Sequence, residues 1–214
     1  MIRTAASVLS CAAGLSGLAA PALAHPHVFA EARLEVEVAA DGHVSALRHI
    51  WRFDELFSST VLLEFDADKD NRLEHPELEE VAAVVTDSLA EYNYFQTISA
   101  GGQDIKVEPV TDMKALFEDG QLIMFFSTVP KERVEITASP TFGVYDPTFY
   151  TAIDFYDESN MVLNGAPANC THEMVLPDPD EAIAQNQASL TDAFFNDPTD
   201  MSMLLATRME VTCK

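Results

Sequence analysis

Between Val28 and Val38 apolar and polar positions alternate: Val28, Ala30 and Ala32 stand against Phe29, Glu31 and Arg33, and the run Leu34-Glu35-Val36-Glu37-Val38 follows. A period of two marks a β-strand with one buried face. Asp41-Gly42 supplies turn residues and Val44 to Phe53 reads as the returning strand, so the two form a hairpin. The period then lengthens. Asp54 suits the N-cap of a helix running through Phe65. Leu78, Val81, Ala82, Val85 and Leu89 recur at helical spacing, and Pro76 falls in the first turn, where a missing N–H costs nothing. This second helix is expected to reach about Tyr92.

Beyond it the pattern is mostly that of strands. Phe95 to Ala100, a Gly101-Gly102 turn and Ile105 to Val110 make one expected hairpin; Lys114 to Phe117, Asp119-Gly120 and Gln121 to Val129 make another. Val134 to Ala138 and Phe149 to Tyr156 read as further strands, Asp178 to Asn196 as a late helix, and Thr207 to Cys213 as a last strand. Strands flanking a helix pair indicate an α+β fold, a mostly antiparallel sheet with an inserted helix-loop-helix at about residues 54–92. There is no internal repeat.

Residues 1–24 have the layout of a secretory signal peptide: Arg3, then an apolar stretch of small residues, then Pro21 and Ala22-Leu23-Ala24, which fits the small-x-small cleavage rule. The apolar stretch is short for a bilayer and has no positive cluster after it, which argues against a membrane anchor. The mature chain, residues 25–214, is then a single exported, periplasmic domain that does not itself span a membrane. The apolar fraction of the whole sequence, 48%, is enough to build a core. The net charge of −23 disfavours nucleic acid and anionic lipid and favours cations. Cleavage would remove Cys11 and leave Cys170 and Cys213. An even count in an oxidising compartment suggests one disulfide, with a pair of metal-binding thiols as the alternative.

Between the two helices lies Asp66-Ala67-Asp68-Lys69-Asp70-Asn71-Arg72-Leu73-Glu74-His75-Pro76-Glu77. It fits the twelve-residue EF-hand calcium pattern, with Asp66, Asp68 and Asp70 at positions 1, 3 and 5, the Arg72 carbonyl at 7, Glu74 at 9 and Glu77 at 12. Calcium takes six to eight hard oxygens, and carboxylates two residues apart on a tight loop can point inward together. Leu73 is the apolar residue expected to tie the loop to the core. Asn71 stands where the pattern has Gly; the position calls for a left-handed backbone, which Asn tolerates next best. The other reading is a solvated acidic loop.

Cleavage after Ala24 would also place His25-Pro26-His27 at a new N-terminus. The free amine and the two imidazoles could hold nickel, cobalt, zinc or copper. Pro26 has no amide proton, so the copper and nickel site that uses backbone amides is excluded. The alternative is that both histidines merely flank a cleavage site. His43 and His75 are expected to be solvated, and nothing in the spacing brings His49 or His172 to the N-terminus. Tyr145-Asp146-Pro147-Thr148-Phe149-Tyr150 could line a ligand groove or pack as a turn. The chain has no nucleophile elbow, Gly-rich phosphate loop or HExxH, and Ser58 and Ser59 have no visible base, so it is not expected to be an enzyme.

Taken in order, His25-Pro26-His27-Val28-Phe29, Trp51-Arg52-Phe53-Asp54, the acidic loop, Ala90 to Phe95, Tyr145 to Tyr150 and the late cysteine pair resemble one bacterial family of exported proteins of unknown function. That family is often labelled the periplasmic component of an uncharacterised ABC-type transport system, and its members are commonly encoded near nickel/cobalt or zinc transporters. The resemblance implies a periplasmic accessory of an inner-membrane metal transporter or permease, with His25 and His27 as the natural transition-metal contacts. A calcium-stabilised interaction module that holds no transition metal is the alternative.

Overall fold

In the computed structural model, residues 26–178 and 206–214 are described. The alternating run at the start forms β1 (Val28–Val38), paired antiparallel with β2 (Val44–Phe53) through Ala30–Phe53 to Val38–Val44. Two helices follow, α1 (Glu55–Phe65) and α2 (His75–Ala90). Then come β3 (Gln96–Ala100), β4 (Gln103–Ile105), β5 (Lys114–Glu118), β6 (Gln121–Thr128), β7 (Thr141–Val144), β8 (Thr151–Asp154), β9 (Met161–Asn164), β10 (Cys170–Val175) and β11 (Arg208–Cys213).

The strands form two sheets. The first runs β5-β6-β2-β1-β8, with β9 on the same edge of β1 as β8; the second runs β10-β11-β7-β3-β4. Every pairing is antiparallel except that β8 and β9 run parallel to β1. Leu34, Leu47, Trp51 and Met124 from the first sheet and Ile98, Phe142, Met209 and Val211 from the second belong to one buried cluster, so both sheets share a core. The α+β, antiparallel-rich expectation agrees with this, although the strands are divided between two sheets.

The helix pair covers one end of the first sheet: α1 lies on β6, and α2 on β5. Asp54 joins strand to helix. Its Oδ1 accepts the Phe57 N–H at 2.9 Å as the N-cap, and its Oδ2 accepts the Phe29 N–H at 2.9 Å from β1. Ser58, buried in α1, donates to the Asp54 carbonyl at 2.7 Å and accepts the Leu122 N–H at 2.9 Å, which gives this serine a structural role. On α2, Val81, Ala82 and Leu89 are buried, with Leu78 and Val85 packed beside them, as the spacing predicts.

Three expectations need correction. Val134–Ala138 is not a strand: it has one bridge, His43 to Glu135, and then a single 3-10 turn, Ile136–Ala138. Val134 and Ile136 do point inward, so the alternation marked burial without a ladder. Ile105–Val110 pairs with β3 only as far as Ile105. Its backbone then changes partner, with the Glu108 N–H donating to the Val129 carbonyl and Lys131 N–H to the Lys106 carbonyl. Phe149–Tyr156 shortens to Thr151–Asp154, because Phe149 has φ 59° and ends a turn. β7, β9 and β10 were not expected. The proposed helix at 178–196 lies, apart from Asp178, outside the described residues, as do the signal segment and His25.

Candidate metal-binding loop

Residues 66–74 connect α1 to α2, and their side chains fold back on their own backbone. Asp66 Oδ1 accepts the Asp70 N–H at 3.1 Å and Oδ2 accepts the Asn71 N–H at 2.9 Å. Asp68 Oδ1 also accepts from Asp70, at 3.2 Å, and Asp70 Oδ1 accepts the Arg72 N–H at 2.8 Å. Glu77 closes the loop from the first turn of α2: Oε1 accepts the Ala67 N–H at 2.9 Å and Oε2 the Glu74 N–H at 3.0 Å. Two residues take left-handed conformations, Lys69 at φ 64° and Asn71 at φ 63°, the latter where the sequence pattern requires it. Leu73 is buried and fastens the loop to the core.

One carboxylate oxygen from each of Asp66, Asp68 and Asp70 lies within 4.8 Å of the others. Asp66 is half-buried and the other two are exposed. No ion pair among the described residues neutralises this trio. Three anionic oxygens this close repel one another, and a hard divalent cation would relieve that repulsion. The donor set is all oxygen, which suits calcium or magnesium and not a soft metal. Glu77 is not part of this trio, and its oxygens are engaged by the Ala67 and Glu74 N–H groups. Glu74 is the N-cap residue of α2. Exposed acidic trios also occur without an ion, so the geometry establishes a group that could hold a metal.

The histidines are placed separately from this loop. His27 is exposed at the head of β1; its ring centroid is 5.1 Å from that of Tyr150, and its backbone N–H donates to the Tyr150 carbonyl at 2.9 Å. The N-terminal segment is thereby held against the Tyr145–Tyr150 turn. Asp146 organises that turn from a buried position, accepting the Thr148 N–H and hydroxyl at 2.7 Å each and the Thr151 N–H at 2.8 Å. His49 is buried in β2, stacked on Phe126 at 4.6 Å, with burial pushing its pKa down to about 3. His172 Nε2 lies 2.9 Å from the Met161 carbonyl. His75 is exposed beside Glu79, and His43 pairs with Asp41. None of these joins His27 in a metal cluster among the described residues.

A disulfide joins Cys170 and Cys213, directly opposed on β10 and β11. This agrees with the pairing suggested by the cysteine count. It closes a loop with a sequence separation of 43. Among the described residues no helix is long and apolar enough to cross a membrane.

The fold therefore defines a two-sheet α+β protein with an acidic helix-loop-helix insert and a stapled C-terminal strand. The chain belongs to the family described as Protein of unknown function (DUF1007), which matches over residues 10–213. It is also similar to an uncharacterized protein of Haemophilus influenzae, 22% identical over 194 residues that cover 90% of this chain and 92% of the relative.

Proposed function

We propose that this chain is an exported, calcium-binding accessory protein of a transition-metal transport system, with no catalytic activity of its own. The observation that supports the calcium component is the loop 66–77: three converging carboxylates, a left-handed Asn71 at the turn and a buried Leu73 anchor. Export is supported by the signal-like residues 1–24 and by the disulfide, which suits an oxidising periplasm. The accessory role rests on the resemblance to exported proteins encoded beside nickel/cobalt or zinc transporters. Its partner is then an inner-membrane permease, and His25 with His27 supplies the transition-metal contact. A module stabilised by calcium that takes no transition metal is the second reading, favoured by the engagement of His27 with Tyr150.

Calcium is expected to bind as one equivalent with a Kd on the order of 10⁻⁴ M, in the range of exported modules. At a hundredfold excess over Kd this contributes about 2.7 kcal/mol, or a Tm rise of roughly 5–10 °C in a chain of this size. Asp66→Ala and Glu77→Ala should each abolish the calcium-dependent increment, whatever they do to the calcium-free Tm. Persistence of the increment in both variants would show that the ion sits elsewhere. Calorimetry with nickel, cobalt, zinc and copper on the mature chain separates the two readings: equal affinity for native protein and a His25→Ala, His27→Ala variant would leave the second.

A further inference from the structure

The outer face of α1 is apolar along its centre, where a solvated helix ordinarily carries charged side chains. Leu63 is 83% exposed and Leu56 is 77% exposed, the two most exposed large apolar side chains among the described residues. Seven residues apart, they fall on one line along the helix, two turns from each other. Ser59 and Thr60 stand on either side of that line and are also exposed. Their hydroxyls turn back onto the helix: Ser59 Oγ donates to the Glu55 carbonyl at 2.6 Å and Thr60 Oγ1 to the Leu56 carbonyl at 3.1 Å. Neither hydroxyl proton then needs water, so the stripe Leu56, Ser59, Thr60 and Leu63 can be covered without stranding a donor. The inward face carries the packing, with Ser58 and Val61 buried and Phe57, Leu62 and Phe65 against the core. Leu56 and Leu63 take no part in that cluster.

Charge selects what would cover the stripe. Glu55 and Glu64 flank it, and neither α1 nor α2 contains a Lys or Arg. Residues 54–92 hold twelve Asp and Glu against Lys69 and Arg72. The acidic loop begins three residues beyond Leu63, at Asp66, whose N–H donates to the Leu62 carbonyl at the end of α1. The carbonyl end of the helix adds to this negative field, because its last turn has no basic residue. An apolar centre with an acidic rim fits an apolar centre with a basic rim. A second copy of this chain would instead set one acidic rim against another. Residues 179–205 contain Asp180, Glu181, Asp192, Asp197 and Asp200 and no Lys or Arg, so their charge is also of the wrong sign. Anionic lipid is repelled by the same field.

We propose that the outer face of α1 docks a basic amphipathic helix of a partner protein. Apolar side chains of that helix lie along Leu56 and Leu63, and its flanking Lys or Arg residues face Glu55, Glu64 and the acidic loop. The apolar anchors supply affinity and the charged rim supplies selection. Two turns of helix are about 11 Å long, so the contact is small and the association weak and reversible. The inference rests neither on occupation of the calcium loop nor on the transport reading.

The test is calorimetry and amide chemical-shift mapping of the mature chain at 150 mM NaCl without divalent ions. The probe is acetyl-(Leu-Lys-Lys-Leu-Leu-Lys-Leu)2-amide, whose leucines share one helical face. One control peptide has Ala in place of every Leu and keeps only the charge. Another has Glu in place of every Lys and keeps only the apolar face. The expected result is one-to-one binding of the probe with a Kd below about 100 μM, shifts concentrated in residues 55–64, and binding of both controls weaker by about 10-fold or more. Leu56→Ser and Leu63→Ser should each weaken the probe by about 5-fold or more. Glu64→Lys, which leaves both leucines in place, should weaken it by about 3-fold or more. Leu176→Ser, which removes a side chain 63% exposed beyond β10, should leave it unchanged. The proposal is overturned if the Ala peptide binds as the probe does, which would be charge alone, or if the acidic peptide does, which would be apolar contact alone. Shifts centred outside α1, or leucine variants that bind as the native chain does, overturn it equally. So does a native dimer that Leu63→Ser dissociates, which assigns the stripe to a second copy, or capture of the native chain but not Leu63→Ser by phosphatidylcholine vesicles, which assigns it to lipid.

Discussion

At the residue scale, His49 shows how a polar side chain in a core sets a pH limit. It is 1% exposed, its Nε2 lies 3.3 Å from Thr128 Oγ1, and its Nδ1 has no partner. Burial disfavours the charged ring, so the folded pKa falls from 6.5 to about 3. The unfolded chain binds this proton below 6.5 and the folded chain does not, so this contribution to stability is whole above pH 6.5 and is lost as pH falls below it. Between pH 7 and pH 5 the loss is about 2 kcal/mol, a Tm decrease of roughly 4–8 °C. His49→Leu should flatten that part of the Tm–pH curve even if it lowers Tm at pH 7. A slope unchanged by the substitution would show that another group carries it. The burial of His49 was legible only in part, since it follows Leu47 and precedes Trp51 on the inward face of β2, a parity the sequence contains. The loop residues were more legible, because metal-loop spacing is local: Asn71 takes the left-handed backbone expected of it, and Leu73 is buried. The strained run at 93–95 had no such signal. Asn93 is tolerated at φ 54°, whereas Tyr94 at φ 53° is held by its hydroxyl accepting the Val110 N–H and its carbonyl accepting from Gln96 Nε2, contacts that no local pattern encodes.

At the scale of elements, the long strands and both helices were readable because each carries a full period of buried positions. Three shorter strands, β7, β9 and β10, were not. β7 and β9 have four residues each, and β8 and β9 pair parallel to β1 from more than a hundred residues away. A parallel partner leaves no turn to read. β9 instead depends on a close approach at its end. Gly165 has φ 73°, and a Cβ there would sit 2.4 Å from the Val38 carbonyl oxygen, a backbone atom that cannot move aside cheaply. The clash falls where the β1–β2 register shifts, between Glu37 and Val38. Gly165→Ala should therefore cost on the order of 2–3 kcal/mol, combining a left-handed alanine with a displaced β1 end. Denaturant unfolding should show a lower midpoint, and hydrogen exchange should show the loss concentrated in 161–164 and the end of β1. Wild-type stability in the variant would mean that β9 does not hold this register in solution.

At the scale of the whole molecule, charge is the dominant feature. Asp and Glu number 35 against 12 Lys and Arg, a net charge of −23. Self-repulsion of this size destabilises a compact state more than an expanded chain, because folding brings the charges closer. The few exposed ion pairs among the described residues, such as Arg133 with Asp41 and Lys114 with Asp112, offset little of it. Salt should then stabilise the fold. The Debye length falls from about 30 Å at 0.01 M to about 8 Å at 0.15 M, so most long-range repulsion is screened over that interval. In the absence of divalent ions, raising NaCl from 10 to 150 mM should lift Tm by several degrees, roughly 3–6 °C for an effect of about 1.5 kcal/mol. The same rise should appear in Asp66→Ala, since it comes from the whole surface. Calcium added at constant ionic strength should give a further increment in the native chain and none in that variant, which separates general screening from occupation of the loop. A Tm that is flat or falls with NaCl would show that the acidic surface repels the unfolded chain as strongly as the folded one, and that the charge bears on solubility and partner choice without limiting stability.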